Sequence, residues 1–182
     1  MRAAALALAV YLLAGCAAPR ASPGPSLIPK DGQVLLKVPF FPDDTDQCGP
    51  SALASVLGYW GKPAAPASLR AEIYRASLKG SLTVDLLLAA ESRGLTAEMA
   101  NGTLTGVKKE LDAGRPVLAF VDVGYSFYPI GHYLVITGYD ERRRCLFAHS
   151  GMQRDQRISY GKFDKQWKRT ERWALLIRPS QS

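Results

Sequence analysis

Gln47-Cys48-Gly49-Pro50-Ser51-Ala52-Leu53-Ala54 is the stretch whose reading decides the fold. Gly49-Pro50-Ser51 predicts a helix start, because proline at the first helical turn lacks only a donor that would be orphaned anyway. Leu53, Val56, Leu57 and Trp60 then recur on one helical face, and Gly61 with Pro63 ends the helix. Cys48 therefore stands immediately before a helix start. There the unpaired N–H groups and the helix dipole are expected to favour a thiolate. Asp43, Asp44 and Asp46 crowd the same approach and oppose it, since nearby negative charge favours the neutral thiol.

Outward from this point the chain is helical first and strand-forming later. Further helices are predicted over residues 68–77, 83–93 and 105–113, the last two stopped by Gly94 and Gly114. Strands are predicted over residues 34–41, 117–123, 132–139, 144–150 and 173–178, with a short helix around Phe163 and Trp167. Helices followed by strands argue for an α+β fold with an antiparallel sheet rather than alternating βαβ units.

A cysteine nucleophile needs a base, and the chain has only two histidines, His132 and His149. Both fall on predicted strands joined by a tight turn around residues 140–143. The turn length puts residues summing to about 281–284 opposite one another. His132 then faces His149 or its neighbour Ser150, and either would orient the imidazole. His149 is the choice made here, because its ring reaches farther and both nitrogens can bond.

With these residues in place, a resemblance becomes specific. Residues 47–54 resemble the cysteine block of papain-like peptidases related to the bacteriocin-processing peptidase domains of ABC exporters. Gly131-His132-Tyr133-Leu134-Val135-Ile136-Thr137-Gly138-Tyr139-Asp140 resembles their histidine block. The resemblance spans about residues 34–177. It implies a papain-like fold with N-terminal helices packed on an antiparallel sheet, Cys48 as nucleophile, His132 as general base and a peptide or protein substrate. It implies no metal and no organic cofactor. Two positions depart from the family. An Asp or Asn usually follows on the next strand, where this chain has His149 and Ser150. A glutamine usually precedes the cysteine by about six residues, where Pro42 and Asp43 stand. Gln47 is the candidate replacement as oxyanion donor, with backbone N–H groups alone as the other possibility. A fold that binds without turnover is the alternative function. A Cys48–Cys145 disulfide and a zinc site built from Cys48, His132, Cys145 and His149 are the other uses of these residues.

The N-terminus is read separately. Arg2, an apolar run over residues 3–12 and Leu13-Ala14-Gly15-Cys16 form an export signal, and the last four residues resemble the lipobox of bacterial lipoproteins. The expected organisation is a signal peptide over residues 1–15, a lipidated Cys16 with a Pro-rich tether over residues 16–33, and a peptidase domain over residues 34–182. Acyl chains on Cys16 would anchor the protein stably, at about 0.8 kcal/mol per buried CH₂. By resemblance to lipoproteins of enteric-type bacteria, Ala17 rather than an aspartate after the cysteine implies the outer membrane, facing the periplasm.

The 182 residues carry a net charge of +7, with 47% hydrophobic and 21% charged residues, which excludes a disordered chain or a coiled coil. Three cysteines are too few for a disulfide scaffold. No nucleic-acid-binding motif is present. Residues 141–182 hold 11 Lys/Arg against 4 Asp/Glu, which reads as a solvated basic face before an acidic partner or lipid is invoked. The aromatic segment Tyr125-Ser126-Phe127-Tyr128, just before His132, would form one lip of a substrate groove or pack on the sheet edge.

Overall fold

The computed structural model describes residues 32–125 and 127–180. The signal peptide, the lipidated Cys16 and all but the end of the tether lie outside the described residues. Among the described residues the chain runs β1 (Gln33–Leu35), α1 (Cys48–Tyr59), α2 (Pro66–Ile73), a small hairpin β2 (Tyr74–Arg75) and β3 (Gly80–Ser81), and α3 (Thr83–Glu91). It continues through β4 (Leu95–Asn101), α4 (Leu104–Asp112), β5 (Val117–Asp122), β6 (Gly131–Asp140), β7 (Cys145–Ser150), β8 (Gln153–Ser159), α5 (Tyr160–Lys168) and β9 (Trp173–Pro179). The large sheet is antiparallel, in the order β4-β9-β5-β6-β7-β8, with β1 pairing the far end of β6. The fold is α+β, as the order of helices and strands implies.

Strand β6 is the spine of the molecule. Residues 133–140 are all buried, because strands flank them on both edges and helices cover them. Gly138 is required here: a Cβ at that position would lie 2.1 Å from the Val34 carbonyl oxygen, so only glycine lets β1 close on β6. Helix α1 was expected to bury one face, yet every residue from Gly49 to Leu57 is buried. It packs against β6, α2 and α3 at once, so its sides as well as its sheet face are covered. On α5, Phe163 and Trp167 are the anchors. Their rings pack in a tilted arrangement with centroids 4.9 Å apart, and the Trp167 indole N–H donates to the Trp173 carbonyl at 2.7 Å, satisfying the polar end of a fully buried ring.

Helix boundaries follow local chemistry. The Thr103 hydroxyl accepts from the Gly106 N–H at the start of α4, a cap that contributes about 1 kcal/mol. Gly94 and Gly114, expected as stops, adopt positive φ just beyond α3 and α4. The expected first strand is shorter than its sequence: after the Leu36 N–H bonds the Thr137 carbonyl at 2.8 Å, the chain leaves the sheet towards Pro39 and Pro42. The second helix ends at Ile73 rather than at residue 77, and its tail forms the β2–β3 hairpin. Strands β4 and β8, absent from the sequence reading, are the two edges of the sheet.

Candidate active site

Cys48 is the first residue of α1. Gln47 provides no side-chain cap and the first turn holds no acidic residue, so the helix start is open. Gly49 lets the β3 hairpin close over it: a Cβ on Gly49 would lie 2.9 Å from both Cβ and Oγ of Ser81. The Cys48 sulfur accepts the Tyr133 N–H at 3.5 Å, which puts the thiol beside the residue that follows His132. The Tyr133 ring is held in turn by its hydroxyl, which donates to the Ser81 carbonyl at 3.2 Å, and by ring contacts with Phe120 and Trp173. Helix α1, the β2–β3 hairpin and strand β6 thus meet at one residue.

Cys48 and His132 line the same open cleft of about 720 Å³. Leu78 and Leu82 form part of its wall, and Tyr128, Pro129 and Ile130 another part. Tyr128 is exposed, so this part of the aromatic segment forms a lip of the cleft. The loop is held from behind by Arg169, which donates to the carbonyls of Gly124 and Tyr125 at 2.8 Å each and pairs with Asp122 at 3.0 Å.

The Nε2 of His132 lies 2.9 Å from the Ser150 hydroxyl. His149, the expected partner, is elsewhere. Val135 pairs with His149 across β6 and β7, so His149 shares the face of Val135 and Tyr133, while Ser150 shares that of His132. Val135 and His149 sum to 284, within the range expected from the turn, and that even parity selects Ser150 rather than His149 as the neighbour on the His132 face. His149 is buried, with Nε2 3.1 Å from the Val38 carbonyl and Nδ1 accepting the Asp155 N–H at 3.2 Å. Phe40 packs on its ring at 5.1 Å. Both nitrogens are used in tying the 38–43 segment to β7 and β8.

Gln47 is also displaced from its expected place. Its side-chain amide donates to the Thr45 hydroxyl at 3.0 Å, and Thr45 is folded back onto the Asp43 carboxylate through its N–H and hydroxyl. Gln47 does not line the cleft. Near the sulfur, the donors are the backbone N–H groups of Cys48 and Gly49, with that of Tyr133.

The electrostatics reverse the expectation from the helix start alone. Burial pushes the Cys48 thiol above its ordinary value, and the Asp43 carboxylate adds to this; the surrounding N–H groups oppose it. Burial holds His132 below the ordinary histidine range, with Asp43 opposing. Both directions favour the uncharged forms, a neutral thiol beside a neutral imidazole. Of the three acidic residues before Cys48, Asp43 is the one that acts on both groups. Its N–H bonds the Gly151 carbonyl at 3.1 Å, whereas Asp46 is taken by the Tyr74 hydroxyl.

Cys145 lies at the other end of the sheet. It pairs with Asp140, seven residues along β6 from Tyr133, a separation of about 23 Å at about 3.3 Å per residue. A disulfide needs Cα atoms within about 7 Å, and both cysteines are free. No cluster of three His, Cys, Asp or Glu side chains among the described residues is arranged to hold a metal ion.

Residues 35–175 match the Peptidase_C39-like family. The chain belongs to that family. Among solved structures, this C39-like chain is similar to a putative C39-like peptidase from Bacillus anthracis, with TM-score 0.68 and 18% identity over 84% of this chain and 100% of that one. It is also similar to a double-glycine-motif protease from an AMS/PCAT transporter, solved with its leader peptide, with TM-score 0.66 and 22% identity over 81% and 95%. The peptidase domain of Streptococcus ComA, a bifunctional ABC transporter, follows at TM-score 0.62 and 23% identity over 81% and 98%. No curated protein matches. At these identities the structures establish the papain-like fold of the C39-like domain, and the family match supports a cysteine-peptidase fold.

Proposed function

We propose that the protein is a cysteine peptidase acting on peptide substrates outside the cytoplasm, with Cys48 as nucleophile and His132 as base. One observation carries the reading: Cys48 and His132 line one open cleft, with the Ser150 hydroxyl on Nε2 of the imidazole. In the tautomer that donates Nε2–H to Ser150, Nδ1 is the nitrogen left to accept the thiol proton. Sulfur attacks the scissile carbonyl as His132 takes the proton. The oxyanion turns to the N–H groups at the start of α1, in the role first assigned to Gln47. His132 then returns the proton to the leaving amine, and water hydrolyses the thioester. Ser150 orients the imidazole without bringing a negative charge.

A peptide substrate is supported by the leader peptide bound to the transporter protease of similar fold. The lipobox-like sequence at Cys16 supports attachment to the outer membrane, facing the periplasm, by acyl chains. Incubating the full chain with a mixed peptide library and sequencing newly formed N-termini tests the activity. Cleavage lost on Cys48→Ala supports it. Absence of new termini from the wild-type chain identifies a binding protein instead. Labelled palmitate that enters the wild type but not a Cys16→Ser variant tests the anchor.

A further inference from the structure

The cleft does not end at His132. A second depression of about 330 Å³ begins at the same histidine and runs past Ser150 and Gln156 to Lys162 and Gln166 of α5. A third, of about 470 Å³, shares Lys162 and Gln166 with it and adds Lys165 and Arg169, ending at Tyr125. The three depressions share lining residues in succession: His132 between the first and second, and Lys162 with Gln166 between the second and third. Lys162, Lys165 and Arg169 recur at helical spacing on the side of α5 opposite the buried Phe163 and Trp167. Arg169 is committed to Asp122 and the loop carbonyls. Lys162 and Lys165 are exposed, and no carboxylate among the described residues pairs with either.

We propose that Lys162 and Lys165 select substrates that carry acidic residues on the leaving-group side of the scissile bond. This rests on the peptidase reading, which also fixes the direction. His132 protonates the departing amine, so the chain attached to that amine runs past the imidazole, into the depression that leads to α5. An extended peptide advances about 3.3 Å per residue, so carboxylates a few residues beyond the bond would meet the two ammonium groups. Two exposed charges steer and discriminate rather than hold tightly.

The test measures binding and cleavage separately. Fluorescein-labelled (Ala-Glu)₄, (Ala-Gln)₄ and (Ala-Lys)₄ are titrated by anisotropy into the full chain carrying Cys48→Ala. The acidic peptide should bind about tenfold more tightly than the neutral one at low salt. A Lys162→Glu/Lys165→Glu variant should abolish or invert that order, while Lys62→Glu/Lys109→Glu, an equal charge change away from these depressions, should preserve it. Equal binding of the three peptides, or the same loss in both double variants, overturns the proposal. So does phosphatidylglycerol-vesicle binding that depends on Lys162 and Lys165 without peptide discrimination, which would assign the lysines to a lipid surface. In the library experiment, acidic residues should be enriched within the first six positions of new N-termini. Cleavage without that enrichment overturns the selectivity and leaves the peptidase standing. Charge-selective binding without cleavage overturns the peptidase reading, and the leaving-group assignment with it, and leaves Lys162 and Lys165 as an acidic-peptide binding site.

Discussion

A cysteine lies beside each end of the central strand, and the two have opposite character. Where β6 begins, Cys48 is half-buried at an uncapped helix start, against an open cleft, with His132 alongside. Where β6 ends, Cys145 is buried, and its cross-strand partner Asp140 is tied to Arg143 at 2.8 Å. The same contrast divides the histidines. His132 has one nitrogen on a hydroxyl and lines the cleft; His149 has both nitrogens satisfied in the interior. Residue type confers no reactivity by itself. An accessible reaction space beside an open helix terminus distinguishes one pair from the other.

The largest expected effect separates the cysteines. Cys48→Ala should abolish cleavage, whereas Cys145→Ala should leave kcat/KM within about twofold and cost on the order of 1 kcal/mol of stability. Parallel peptide-cleavage assays and urea titrations check both, and a Cys145 variant that loses turnover breaks the comparison.

The histidines come next. His132→Ala should lower kcat by roughly 10²–10⁴, the range expected for loss of a general base. His149→Ala should act on folding instead. It leaves the Val38 carbonyl and the Asp155 N–H without their partner, at about 1–3 kcal/mol for each group left buried and unpaired. Its urea midpoint should fall while the pH profile of the folded protein keeps its shape. A shifted profile at unchanged stability would return His149 to the site.

Ser150→Ala should have a smaller effect. Losing one neutral hydrogen bond of about 1 kcal/mol corresponds to roughly fivefold in kcat. Ser150→Asp offers the sharper contrast: a carboxylate on Nε2 would raise the His132 pKa and move the acid limb of kcat to higher pH. No movement of that limb would mean that residue 150 does not act through the imidazole.

Asp43→Asn should produce the smallest change, and its sign is fixed. The wild-type acid limb should lie below the ordinary histidine range, because burial lowers the His132 pKa and only a neutral imidazole accepts the thiol proton. Asp43 raises both the His132 and the Cys48 pKa. Removing its charge should move the acid limb further down and let iodoacetamide modify Cys48 faster at pH 8. Slower alkylation in the variant would contradict the resting neutral pair.

Much of this was legible in the sequence. The proline-initiated helix after Cys48 and the apolar run from His132 to Tyr139 specify elements that are buried on several sides, and such elements declare themselves. Strands β4 and β8 did not, because an edge strand has one unpaired side and a solvent-facing row. Gln153–Ser159 carries five polar or charged residues before its one buried apolar residue, Ile158. His149 was misplaced for a different reason. A bulge between Ile136 and Gly138 shifts the hairpin register, and turn length alone does not reveal it. The thiol was misjudged because a helix start is visible in sequence, whereas the burial that outweighs it arises when α1, β3 and β6 close together.

The most direct test traps the acyl-enzyme. A cleavable peptide taken from the library experiment is mixed with the full chain, quenched in acid, and the thioester is located by mass spectrometry. The account predicts a hydroxylamine-sensitive adduct on the tryptic peptide containing Cys48, absent from Cys48→Ala and much slower to form in His132→Ala. Cleavage that persists in Cys48→Ala, or a thioester found on Cys145, would contradict it.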